Sequence, residues 1–91
     1  MAKWEYTLRN GKALHEAIEN EDEQLVVAFL KICYKELYDQ LSDEDKEWKG
    51  FDIIDNMDAL DVIDLDDEDN INDALDEFYD LCDELRAWIT L

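Results

Sequence analysis

The sequence predicts an all-α fold, a small bundle of four to five helices, on three observations. One segment carries apolar residues around most of a helix, capping residues stand before the periodic segments, and the C-terminal helix separates apolar from acidic residues cleanly. The first segment, Leu25 to Leu41, organises the rest. Projected at about 100° per residue, Leu25, Phe29, Cys33, Val26, Leu37, Leu30, Leu41, Tyr34, Val27 and Tyr38 fall in an arc of roughly 220°, with Ile32 beside it. A surface helix shows a narrower stripe, so this helix is expected at the centre of the bundle, contacted from several sides. Lys31, Lys35 and Asp39 are left for water.

In chain order, Trp4, Tyr6 and Leu8 alternate with Glu5 and Thr7 at strand spacing. Five residues make no sheet alone, and the available partner is Trp88-Ile89-Thr90-Leu91. A short strand pairing of the termini and simple packing of both tails on the bundle both fit. Asn10 is placed to cap a helix from Gly11 to Asn20, with Ala13, Leu14, Ala17 and Ile18 on its apolar edge. Asp22 caps the next helix, to Leu41, and the two form an antiparallel hairpin across the acidic run of residues 19–23. His15 lies off the apolar edge, as a surface residue.

Ser42 opens a short helix over Asp43 to Lys49, with Gly50 in the stop position. Asp52 to Asp55 reads as another cap, for a helix from Ile53 to Leu60 with Ile53, Ile54, Met57 and Leu60 on one apolar face. Continuing past Leu60 would swing Asp61 and Asp64 onto that face, so the helix is expected to end there. Asp66, Asp67, Glu68 and Asp69 form the connecting turn. The last helix runs from Ile71 to Ala87, with Ile71, Leu75, Phe78, Cys82 and Leu85 on one side. Asp73, Asp76, Glu77, Asp80, Asp83 and Glu84 occupy an arc of about 120° on the other. Phe29, Ile32, Cys33, Leu37, Leu75, Phe78, Cys82 and Leu85 are expected to share one core.

Ninety-one residues suffice for one domain. The 47% hydrophobic content is too high for a disordered acidic tail. Cys33 and Cys82 fall on apolar faces without CxxC or Cys/His spacing and read as buried free thiols of a reducing compartment, so a cytoplasmic location is expected. No apolar run approaches membrane-spanning length.

The net charge of −19 is uneven: residues 1–49 carry −5 and residues 50–91 carry −14. Such a field repels nucleic acid and anionic lipid and attracts basic protein surfaces. Direct nucleic-acid binding and membrane binding are therefore not expected. The six carboxylates of the last helix, extended by Asp66, Asp67, Glu68 and Asp69, are the candidate partner-binding surface. At about 6 Å per helical turn they crudely imitate a row of phosphates, which makes the protein a candidate nucleic-acid mimic or inhibitor. The alternative is a solvated face that keeps a small protein soluble.

Calcium is the second alternative, tested by registering an EF-hand loop at Asp66. Glu68, Asn70 and Glu77 then fall at ligand positions, but Ile71 stands where the sharp turn needs glycine. No catalytic triad, metal-protease motif or phosphate-binding loop is present in the sequence, so neither an enzyme nor a cofactor is expected.

With the segments NGKALHEAIENEDEQLVVAFLKICYKEL and EFYDLCDELRAWITL in view, the chain resembles short acidic proteins of phages and prophages of Gram-positive bacteria. The likeness is one of overall pattern, and no functional residue carries over from it. It implies an intracellular protein of the phage's host cell that acts by occupying a host or phage protein.

Overall fold

The computed structural model describes residues 5–89. Strand β1 (Tyr6–Leu8) leads into helices α1 (Gly11–Glu19), α2 (Glu23–Gln40), α3 (Asp43–Asp61) and α4 (Glu68–Leu85), and strand β2 (Ala87–Ile89) closes the chain. The fold is a small all-α bundle with a two-stranded pairing of its termini. Trp4, Thr90 and Leu91, which the sequence analysis placed in that pairing, lie outside the described residues.

Helix α2 is the centre, packed against α1, α3, α4 and β1. It buries Val26, Val27, Leu30, Cys33, Tyr34 and Leu37. The expected arc was too wide: Ile32 is 44% exposed, Leu25 46% exposed, and Phe29 only half-buried. The remaining expected core residues, Cys33, Leu37, Leu75, Phe78, Cys82 and Leu85, are buried in one cluster.

Capping follows the sequence at two of four expected positions, and Asp52, one of the other two, lies inside a continuous helix. The Asp22 carboxylate accepts from the Leu25 N–H at 3.2 Å, and the Ser42 hydroxyl accepts from the Asp45 N–H at 3.2 Å. Asn10 stands before α1 but its side chain makes no cap. Its amide and backbone N–H groups donate instead to the Glu36 carboxylate of α2, at 3.1 and 3.3 Å. Between α1 and α2 the Asp22 N–H reaches the Ala17 carbonyl and the Glu21 N–H the Ile18 carbonyl, both at 3.1 Å. This doubly bonded helix end puts Glu21 at φ 53°, a left-handed conformation more often given to glycine.

The two short helices expected over residues 43–60 are one continuous helix, α3. A glycine ends a helix when it takes a left-handed conformation, and Gly50 has negative φ. It is buried where α3 crosses α2, beside the Tyr38 ring. Burial of Ile53 and Leu60 on the core side carries the helix through. A Cβ at position 50 would sit 3.4 Å from Tyr38 Cε2 and 3.6 Å from Lys46 Cβ, ordinary contact distances. Gly50→Ala is therefore expected to raise stability by about 0.5–1 kcal/mol, from restricted backbone freedom in the unfolded chain. A urea midpoint no higher than that of the parent would show that Tyr38 cannot yield. The helix ends at Asp61, where expected.

The strands run parallel, Tyr6 opposite Ala87 and Leu8 opposite Ile89. A pair this short is held by its surroundings. Tyr6, Leu8 and Ala87 are buried, and the Gln40 side-chain amide closes the other edge of β1. It accepts from the Thr7 N–H at 3.2 Å and donates to the Thr7 carbonyl at 2.8 Å. The Tyr6 hydroxyl donates to the Asp45 carboxylate and accepts from the Ser42 N–H at 3.2 Å, tying β1 to the start of α3. Arg86, at φ 57°, turns the chain out of α4. Its carbonyl accepts from the Glu5 N–H at 2.9 Å.

Candidate partner-binding surface

Helix α4 turns Ile71, Leu75, Phe78, Leu81, Cys82 and Leu85 inward. That burial fixes the opposite face, and Asp73, Asp76, Glu77, Asp80, Asp83 and Glu84 are all exposed. So are Asp66, Asp67, Glu68 and Asp69 in and after the preceding turn. Asp67 also has a structural task, since its carboxylate accepts from the Asp69 and Asn70 N–H groups at 3.0 and 3.4 Å and caps α4. Glu68 and Asp69 complement the positive end of the helix macrodipole.

Period alone places no Lys or Arg within the α4 stripe, but the fold brings one to its end. Lys49 of α3 reaches Glu84 at 2.7 Å and Asp52 at 3.8 Å. The hydrogen bond to Glu84 holds the lysine pKa above its ordinary value. Asp73, Asp76, Glu77, Asp80 and Asp83 make no ion pair among the described residues.

Helix α3 adds what the sequence analysis missed. A shallow groove of about 440 Å³ runs between α3 and α4, with Asp52 and Asp55 facing Glu77, Asp80 and Glu84 across it. The three-residue spacing of Asp52, Asp55 and Asp58 was the signal for an acidic α3 face, but breaking the helix at Gly50 hid its register with α4. The outward side of α3 also exposes Trp48 and Phe51, the latter by 75%. Each is flanked four residues away on both sides by exposed carboxylates: Glu44 and Asp52 around Trp48, Glu47 and Asp55 around Phe51.

Beside the groove, a second cavity of about 260 Å³ opens between α2, α3 and α4. Tyr34, Asn56, Asn70, Asp73 and Glu77 supply its polar lining. The Tyr34 hydroxyl is buried and has no hydrogen-bond partner among the described residues.

The chain is not arranged for calcium in the register tested, because residues 68–77 are helical and splay their carboxylates along α4 instead of folding into a loop. Among the described residues no three of His, Cys, Asp or Glu are grouped to hold a metal ion. Cys33 and Cys82 are buried free thiols, and burial pushes each up to about 12, which makes them unreactive at neutral pH. His15 is exposed and lies 3.3 Å from Glu19 on the next turn of α1. No helix among the described residues is long and apolar enough to cross a membrane.

No protein-family model, curated protein or solved structure matches the chain.

Proposed function

We propose that this protein is a non-enzymatic acidic module that binds a basic surface on a protein partner. Its contact face is the α4 stripe, the turn from Asp66 to Asp69 and the facing carboxylates of α3. The observation that carries the reading is the convergence of exposed carboxylates from two adjacent helices on one groove with Lys49 as the cation at its edge. A solubilising charge needs no such concentration, whereas a field of one sign over a cleft steers an oppositely charged partner into it. Trp48 and Phe51 support the same reading, since exposed aromatic side chains are enriched where proteins meet. The spacing suits a groove that otherwise holds a nucleic-acid backbone, and the pattern of the chain fits a phage-type protein acting inside the host cell.

The test is charge reversal. Once a basic partner is captured from the bacterial host, Asp76→Lys with Asp80→Lys and Asp83→Lys is expected to slow association by tenfold or more at low salt. The difference should shrink as salt screens the field, and the triple variant should stay folded, because relief of like-charge repulsion along α4 favours it. An unchanged association rate at low salt would reassign the stripe as a solvated face.

A further inference from the structure

We infer that Asn10 is a self-modification site, converted to aspartate or isoaspartate by attack of the Gly11 backbone nitrogen, and that the Glu36 carboxylate gates the conversion by holding Asn10 closed. Of the five asparagines in the chain, Asn10 alone precedes a glycine. The others precede Glu21, Met57, Ile71 and Asp73, whose side chains crowd the backbone nitrogen that would attack. Gly11 has no Cβ, so its nitrogen can approach the neighbouring side chain closely.

The reaction needs only water. The Gly11 nitrogen forms a bond to Asn10 Cγ, its proton passes through solvent to the departing amide nitrogen, and ammonia leaves, which closes a five-membered succinimide ring. Water then adds to one of the two ring carbonyls and the C–N bond there breaks. Opening at Cγ gives aspartate. Opening at the main-chain carbonyl gives isoaspartate, in which the chain continues through the side-chain carbons.

The fold holds the reacting groups apart. Both oxygens of the Glu36 carboxylate are used on Asn10: one accepts from its side-chain amide at 3.1 Å and the other from its backbone N–H at 3.3 Å. Ring closure needs the Gly11 nitrogen turned toward the Asn10 side chain. At ψ 4° it lies instead beside the Asn10 backbone nitrogen, and the Asn10 carbonyl accepts from the Leu14 N–H at 3.1 Å in the first turn of α1. The rotation that brings nitrogen and Cγ together breaks that bond and draws the amide off Glu36. A carboxylate beside the site also opposes the negative charge that builds up as the Gly11 nitrogen gives up its proton. Conversion is thus confined to moments when the junction of β1 and α1 lifts from α2.

The product cannot rebuild the clasp. An aspartate at this position has no side-chain N–H to donate and sets a second carboxylate against Glu36, and isoaspartate also lengthens the main chain by one carbon. Each event therefore releases the start of α1 from α2 irreversibly, and the junction records the time it has spent open.

The test follows residue 10 by peptide mapping and mass spectrometry at mildly alkaline pH, in water enriched in the heavy oxygen isotope. The samples are the folded parent, the parent unfolded in urea, and Glu36→Ala, whose fold is checked by its urea midpoint. The unfolded parent is expected to convert at Asn10 and to take up heavy oxygen there, and the folded parent to convert more slowly by about tenfold or more. Glu36→Ala should raise the folded-state rate about tenfold, the gain in open population on losing one hydrogen bond to a charged group, with Asn20 of the same chain unchanged. Glu36→Gln, which keeps one acceptor oxygen, should fall between the two and decides the point if Glu36→Ala does not fold.

No conversion at Asn10 in urea would overturn the site. Equal rates in the folded and unfolded parent, or Glu36 variants converting no faster than the folded parent, would overturn the gate. Asn10→Asp should lose the through-space magnetisation contacts between residue 10 and Glu36 that the parent shows, and their retention would overturn the release of the junction.

Discussion

Replacing Phe78 by Ala is expected to cost about 3–5 kcal/mol, measured as the change in unfolding free energy in urea. The side chain is fully buried at the centre of α4. Its ring meets Tyr34 of α2 edge-to-face, with centroids 5.0 Å apart at 84°, and Tyr79 at 5.7 Å. Truncation removes the buried ring, leaves a cavity between α2 and α4, and forfeits an aromatic pair contributing roughly 0.5–1.5 kcal/mol. A domain of this length has on the order of 5–14 kcal/mol in all, so the variant should lie near the edge of folding. A loss below about 1 kcal/mol would mean that α2 and α4 do not meet through this ring.

The elements legible in the sequence were those whose apolar period and terminal chemistry agreed. Helix α2 was legible because Asp22 caps it before a sustained apolar period, and the apolar face of α4 was legible from its period. The bounds of α4 were not: it begins at Glu68 instead of Ile71, because Asp67, assigned to the turn, caps it, and it ends at Leu85 with Ala87 in β2. Helix α3 was misread because its apolar residues are sparse and Gly50 carries a local stop signal; burial against Tyr38, invisible without the fold, overrode it. Asn10 shows the same competition in reverse, since a residue with the right chemistry for a cap found a better partner in Glu36. The pairing of the termini was legible as strand spacing. Its parallel direction was not, because that depends on where four helices deliver the two ends.

The candidate surface divides along a similar line. The α4 stripe follows from period alone, since the residues opposite a buried face must point outward. Its continuation across the groove to Asp52 and Asp55, and the pairing of Glu84 with Lys49, required the relative placement of α3 and α4. The Tyr34 cavity was unreadable for a different reason: in sequence the residue is one of three aromatics on α2, and only packing decides that its hydroxyl ends without a partner among the described residues.

Stability should fall steeply in alkaline solution, and the two buried thiols set the window. Burial lifts Cys33 from its ordinary value near 9 to about 12, with Glu36 adding to the effect. Burial does the same for Cys82, with Cys33 and Asp83 adding. Below pH 9 both thiols keep their protons in the folded and unfolded chain alike, and the full stability is present. Between pH 9 and about 12 the unfolded chain releases these protons while the folded chain holds them. The unfolded state then binds fewer protons, so unfolding becomes easier as pH rises, by about 1.4 kcal/mol per pH unit for each thiol. Together the two give a decline of about 3 kcal/mol per unit, comparable by pH 11 with much of the total stability. The Tyr34 phenol, raised mainly by burial, steepens the decline above pH 10. Urea unfolding at pH 8, 9, 10 and 11 under reducing conditions measures the slope. Lysine neutralisation in the same range also weakens the domain by increasing its net negative charge, and the Cys33→Ala, Cys82→Ala double variant separates the two causes. It should be less stable than the parent at pH 8, because it loses buried sulfur, and should lose the thiol part of the slope. Parent and double variant declining in parallel from pH 9 to 11 would show that the thiols ionise in the folded protein and that the α2–α4 interface admits water.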